Sequence, residues 1–224
     1  MWDCFPLKQN YLPQESKADY SKAQEIKNKL FDKAYNNFIS GNFTQLQNDF
    51  EAFCEKEKSW LNDFVLYAAI KKLSGGKPWY EWDDDLKQRD ENALLNFSDE
   101  HKEEMNKTKW LQFIFFRQWK ELKDYCNNMN IQLIGDIPFY VSYDSADVWA
   151  NKEIFALDEN GNRIGVAGVP PDAFSDDGQL WGMPVFKWEV LKERNYDWWI
   201  SRLKKNIELF DIVRLDHFRA FDEY

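Results

Sequence analysis

Cysteine is scarce in this 224-residue chain, and the three present (Cys4, Cys54, Cys126) are odd in number with no close pair among them. That excludes a disulfide framework and a metal knuckle, and leaves idle or buried thiols in a reducing compartment. Positive charge is in deficit: 29 Lys and Arg face 39 Asp and Glu, a formal net charge of −10. Nucleic acid and anionic membrane are bound through basic surfaces, so neither is an expected partner, while uncharged ligands stay open. Long apolar runs are missing too. The tightest, Phe113–Phe116, sits between Gln112 and Arg117, far short of the roughly 20 residues of a spanning helix. Met1 to Gln9 holds no apolar stretch of the signal-peptide kind. A soluble, cytoplasmic protein is expected.

Aromatic side chains are what the chain has in excess: 11 Trp, 10 Tyr and 18 Phe. Flat rings serve cores, partner surfaces and sugar rings alike, and core packing is the default reading. An apolar fraction of 44% suffices for an ordinary core. The length fits one large domain or two small ones.

Composition changes near residue 130. Before it the chain is rich in Lys, Glu and Asn and reads as helix. Ala23, Ile26, Leu30, Ala34 and Phe38 recur at steps of three and four, one apolar face ending before Gly41. Leu46, Phe50 and Phe53 predict a second helix, and Trp60, Leu61, Phe64, Tyr67 and Ala68 a third, stopped by Ser74-Gly75-Gly76. Asp83-Asp84-Asp85 reads as a solvated face or a helix start. No His or further ordered acids complete a ligand set there, so no metal is expected. Ser98, followed by Asp99 and Glu100, predicts the start of a fourth helix running to about Asn128, with His101 on its surface.

After residue 130 the grammar becomes that of a β/α unit. Ile131–Asp136 and Asp211–Asp216 are short β-prone runs, each ending in a carboxylate. Between them lie an expected hairpin over Ile154–Gly165 with Asn160-Gly161 at its turn, a long Gly/Pro loop, and helices over Trp188–Arg194 and Trp198–Phe210. No repeat and no low-complexity tract stands out.

Residues two apart in a strand point the same way, so Arg214 and Asp216 share a face. At the C-terminal rim of a parallel barrel, that arginine can bond the carboxylate and keep it ionised, as a nucleophile requires. The same spacing also fits an ordinary buried Arg–Asp pair. Asp136 closes the other strand and would reach the same rim, where barrel active sites form; capping a loop is the plainer alternative. The Gly168–Pro184 stretch is a long, stiff excursion. Its Phe174 and Trp181 either stack on sugar rings or pin the loop to the domain.

Five blocks in order carry a resemblance: Gly135-Asp136-Ile-Pro138, Asp144-Ser-Ala-Asp147-Val-Trp149, Gly168-Val-Pro-Pro-Asp172-Ala-Phe174, Gly178-Gln-Leu-Trp181-Gly, and Arg214-Leu-Asp216-His217-Phe-Arg219. Together they resemble the amylomaltase, or disproportionating-enzyme, family of 4-α-glucanotransferases. The likeness implies an α/β fold: a partial TIM (β/α)8 barrel over 106–224 with a helical insertion subdomain over 1–105. It implies Asp216 as catalytic nucleophile, Arg214 as the arginine that holds it, and Asp136 as an active-site aspartate. It implies His217 beside the acceptor sugar, with Asp172, Phe174 and Trp181 in a loop overhanging the glucan. The substrates implied are α-1,4-glucans and maltooligosaccharides, with no cofactor; oligomeric state stays open. The chain departs from the family where Met183 replaces the usual Asn and Ala220 the usual Gly.

Retaining transfer needs two carboxyl groups about 5 Å apart. Asp222 and Glu223 are too near Asp216 in sequence to provide the second, which in the family lies on a later strand. The opening barrel strand is missing as well. A chain that is inactive alone and marginal in folding is therefore expected, since an interrupted barrel exposes parallel strand edges. Two other readings compete: an α-glucan hydrolase of the same clan, and a non-catalytic glucan-binding module.

Overall fold

The computed structural model describes residues 18–173 and 175–222. Cys4 and Phe174 lie outside them.

Five helices lead: α1 (Tyr20–Ser40), α2 (Thr44–Leu73), α3 (Asp84–Gln88), α4 (Glu91–Glu100) and α5 (Lys102–Asn128). Asp19 caps α1 by accepting from the Lys22 amide at 2.9 Å. The expected apolar face turns inward, with Tyr35 and Phe38 buried against Trp110 and Phe113 of α5. α2 is one 30-residue helix, not the two expected. The polar stretch Glu55–Ser59 reads as a break because it interrupts the apolar pattern, yet Glu57 is only 3% exposed. Its carboxylate accepts from Lys205 Nζ at 2.7 Å and from Trp60 Nε1 at 2.5 Å. Lys205 also reaches Glu208 at 3.0 Å, so an ion-pair network ties α2 to a later helix.

That network sets a stability expectation. Burial pushes the Glu57 carboxyl up, but bonds from Lys205 and Trp60 and the charges of Lys205 and Lys56 outweigh it, leaving its pKa below 4.5. A depressed carboxyl pKa contributes stability that is full above the unfolded value and is lost as pH falls through the folded one. Glu57→Gln leaves Lys205 with Glu208 alone, so the loss should sit at the low end for a broken buried pair, about 3 kcal/mol in urea unfolding at neutral pH. The variant's melting temperature should also fall less steeply than the parent's below pH 4.5. Parallel pH profiles would remove Glu57 from that role.

The helix expected to start at Ser98 is two helices. Asp90 caps α4, accepting from the Ala93 amide at 2.9 Å, and Ser98 lies inside α4, its Oγ donating back to the Leu94 carbonyl at 2.7 Å. α5 begins after His101, which is half-buried with its ring 4.4 Å from Phe97 instead of standing free on the surface. The acidic run is a helix start, Asp83 preceding α3.

Beyond α5 follow β1 (Ile134–Ile137), α6 (Ala146–Ala150), β2 (Val166–Val169), β3 (Gln179–Pro184), α7 (Trp188–Glu193), α8 (Asp197–Leu209) and β4 (Ile212–Leu215). β1 and β4 form a parallel pair; β2 and β3 form an antiparallel one. The hairpin expected over Ile154–Gly165 is a turn closed by a side chain. Asp158 accepts from the amides of Asn160 and Asn162 at 2.9 and 2.8 Å, and one bridge, Leu157 to Arg163, is all the pairing that survives. The real hairpin is β2–β3, which starts two residues before the Gly168–Pro184 stretch and takes in all of it, a stretch that reads as irregular loop because of its prolines and glycines. Gly178 ends that loop at φ +71°, where a Cβ would lie 2.5 Å from the Val169 carbonyl.

One large core joins helical and β/α parts. Leu66, Tyr67, Ile70, Trp79 and Trp82 pack with Phe139, Trp149, Phe155, Phe186 and Trp199. Much of the aromatic excess therefore goes into the interior, where two indole N–H groups find carbonyls: Trp79 bonds Tyr143 at 2.7 Å and Trp149 bonds Leu86 at 3.0 Å. α5 runs unbroken across residues 105 and 106. Among the described residues no helix is long and apolar enough to cross a membrane.

Candidate active site

Two parallel strands build the site. Register places Asp136 opposite Arg214 and Ile137 opposite Leu215, and the Asp216 amide extends the ladder by one bond to the Ile137 carbonyl at 3.0 Å. Asp136, Arg214 and Asp216 thus emerge on one face at the C-terminal end of the pair. Strand β1 can lie close to the end of α8 because residue 135 is glycine: a Cβ there would sit 2.2 Å from the Phe210 ring.

One guanidinium serves both carboxylates. Arg214 donates from Nε to Asp136 Oδ1 and from Nη2 to Asp136 Oδ2, both at 2.9 Å, and Nη2 also donates to Asp216 Oδ1 at 2.9 Å. The first pair is a bidentate fork, a geometry the planar guanidinium makes and an ammonium does not. Bonds and charge from Asp136, then the charge of Asp216, hold the Arg214 pKa above its ordinary value. The three side chains are 61%, 57% and 54% exposed for Arg214, Asp136 and Asp216. In this chain the pair is therefore exposed, and Asp136 spends both oxygens on Arg214. Among the described residues Asp216 Oδ2 carries no hydrogen bond, so one oxygen of that carboxylate is held and the other is open.

His217 follows in the left-handed region at φ +52°, uncommon for a residue with a Cβ and typical of places where local strain serves a site. Its ring meets Trp181 of β3 edge to face, with centroids 5.1 Å apart, and lies 6.3 Å from Tyr140. Tyr140 and Trp181 are 6.2 Å apart. An aromatic wall of Trp181, His217 and Tyr140 thus stands beside the Arg214 cluster, assembled from three separate stretches of chain. Trp181 Nε1 donates to Gln179 Oε1 at 2.9 Å, which orients the indole along β3.

Asp172 is placed differently. Its Oδ1 accepts from the Ser175 amide and its own amide donates to the Ser175 carbonyl, both at 3.0 Å, so it closes a turn in the exposed loop. Arg214 does not bond it. Phe174, the other loop residue singled out by sequence, falls outside the described residues. Tyr140 is a site residue that sequence reasoning misses; its signal is weak, an aromatic four positions after Asp136 and two beyond Pro138. Among the described residues no group of His, Cys, Asp and Glu is arranged to hold a metal ion.

Comparison with known proteins follows the same lines. A family model described as 4-alpha-glucanotransferase matches residues 5–224. The 4-alpha-glucanotransferase of Synechocystis sp. is 44% identical over 209 residues, which are 93% of this chain and 41% of that protein. That of Clostridium butyricum is 43% identical over 216 residues, 96% of this chain and 44% of its own length. Among solved structures, an amylomaltase from Streptococcus agalactiae in complex with acarbose superposes with a TM-score of 0.85 at 40% identity, covering 92% of this chain and 41% of that one. The chain thus spans about two fifths of the length of these relatives, and its helices and strands are consistent with part of an α/β barrel. With a family model covering nearly all of its residues, the chain belongs to the 4-alpha-glucanotransferase family.

Proposed function

We propose that this chain supplies the nucleophile side of a 4-α-glucanotransferase that moves α-1,4-glucan segments by retaining double displacement. The carrying observation is the shared guanidinium: Arg214 holds Asp216 by one oxygen at 2.9 Å and is itself braced by both oxygens of Asp136. In the first step Asp216 Oδ2 bonds to the anomeric carbon of the glucan, and the bond from that carbon to the leaving O4 breaks. A carboxylic acid protonates the leaving oxygen. In the second step an acceptor's 4-hydroxyl bonds to the same carbon, its proton passes to the acid/base, and Asp216 leaves as carboxylate. Asp136 is a poor choice for that acid, because both of its oxygens already accept from the guanidinium. The acid/base is therefore assigned outside residues 18–222.

Trp181 and His217 are read as a wall for the acceptor side, excluding water so that a sugar hydroxyl takes the glucosyl unit. Asp172 acts by shaping the loop that carries Phe174. The helical part up to residue 105 is read as an insertion subdomain. A cytoplasmic location belongs to the same reading, as do maltooligosaccharide substrates and acarbose as a ligand.

A chimera tests this: residues 18–222 replace the matching segment of the Synechocystis sp. relative and the product is incubated with maltotriose. A ladder of longer oligomers with released glucose is expected. Glucose and maltose alone would make the site a hydrolase's, and a folded chimera that leaves maltotriose intact would overturn the proposal. The 224-residue chain by itself should show no turnover.

A further inference from the structure

Strand β1 ends at Ile137, and the next two residues carry backbone carbonyls with no strand to pair with. Phe139 is buried while Pro138 is exposed, and a carbonyl leaving a strand into the core needs a donor. Both find one guanidinium, contributed from helix α8: Arg202 Nη2 donates to the Pro138 carbonyl at 2.5 Å and Nη1 to the Phe139 carbonyl at 3.0 Å. Trp198 and Trp199, four and three residues earlier on the same helix, place their rings 5.3 and 5.0 Å from the guanidinium carbon. Arg202 is thus fixed on its own helix first and then grips the chain where it leaves β1.

What it grips leads directly to the aromatic wall. Phe139, 2% exposed, has its ring 5.0 Å from Trp199 and 6.5 Å from His217. Tyr140 lies stacked on Phe186 at 5.9 Å and approaches Trp181 and His217 at 6.2 and 6.3 Å. No other side chain of the described residues donates to these two carbonyls. Turning the 138–139 peptide would swing Tyr140 away from Trp181 and remove the surface against which His217 rests.

We propose that Arg202 is a positioning residue for the active site: through the Pro138 and Phe139 carbonyls it sets Tyr140, and through Tyr140 the orientation of His217 and Trp181 beside Asp216. Its link to turnover rests on the glucanotransferase reading; its link to His217 does not.

The chain holds two histidines, so imidazole proton signals divide into two sets. His217 sits among Trp181, Tyr140 and Phe139, whose ring currents displace its resonances, while His101 rests on Phe97 at 4.4 Å and serves as an internal control. In the 224-residue chain, Arg202→Met should return the His217 signals toward those of a free histidine and leave those of His101 in place. Arg202→Lys, which can still donate, should restore most of the displacement. Unmoved His217 signals in a folded Arg202→Met chain would overturn the proposal. If His101 moves too, Arg202→Gln replaces it with the same two outcomes. Slow exchange of the Arg202 guanidinium protons in the unmodified chain is also required; exchange as fast as that of an exposed arginine overturns the proposal whatever the variants do. In the chimera, Arg202→Met should lower kcat by about 10–100-fold, the scale of a small misplacement of reacting groups, with Arg202→Lys recovering most of it. A chimera without activity would count against the glucanotransferase reading and leave the histidine result standing on its own.

Discussion

Asp216→Asn in the chimera is expected to lower maltotriose disproportionation by at least about 10⁴-fold, the scale seen when a covalent nucleophile is removed. The substitution is close to isosteric, and the Asn carbonyl oxygen can still accept from Arg214 Nη2, which now meets Asp216 Oδ1 at 2.9 Å. What it removes is the second oxygen, the one that must bond to carbon, together with the negative charge that meets the developing oxocarbenium ion. Stability should hardly change. Asp216 is 54% exposed, and exposed positions away from caps and cores shift stability by roughly 0.5 kcal/mol or less. Turnover and melting temperature therefore separate cleanly. A slow fluorinated glucosyl donor adds a direct measurement, because the parent chimera should gain one sugar mass on the peptide carrying Asp216 and the Asn variant should gain none. Retained turnover with an unlabelled Asp216 would move the chemistry to another residue.

How far such a site can be read in advance depends on the range of the interactions that make it. The Arg214 and Asp216 pairing follows from a two-residue step in one strand, and that is local. The adjacency of Asp136 follows from two strands of one unit with ends of like character, which the parallel register then aligns. Trp181 beside His217 is of another kind: it needs a hairpin, β2–β3, whose glycines and prolines disguise it as loop. Arg202 is harder still, since an arginine on an amphipathic helix looks like solvent-facing charge until its two carbonyl partners, 63 and 64 residues away, are seen. The helical half fails in the same way. Glu57 in the middle of α2 reads as a helix boundary because polarity is taken for exposure, whereas Lys205, 148 residues on, makes its burial tolerable. Ser98 reads as a cap because the residue type favours caps, and tertiary packing puts it inside α4 instead. Local pattern thus yields the helical first half, the two parallel strands and the pair at the strand end; the contacts that cross between elements carry the rest.

Arg214 should show the second-largest effect. Arg214→Lys keeps a positive charge but gives up the fork, and one ammonium cannot reproduce three bonds at 2.9 Å to two carboxylates. A loss of about 10²–10³-fold in kcat is expected, comparable to removing one preorganised donor from a charged transition state. KM should stay nearly constant, because the arginine's donors are spent on Asp136 and on aligning the nucleophile Asp216; a mutation acting only in the transition state lowers kcat and kcat/KM alike. Asp136→Asn provides the cross-check. If Asp136 works by bracing Arg214, the double variant must cost clearly less than the two single costs combined, since the second change removes support from a group already lost. Additive costs would mean that Asp136 acts on the sugar independently of Arg214. The site would then contain two separate devices in place of one shared guanidinium, and Arg214 would not couple the two strand ends, while Asp216 kept its role.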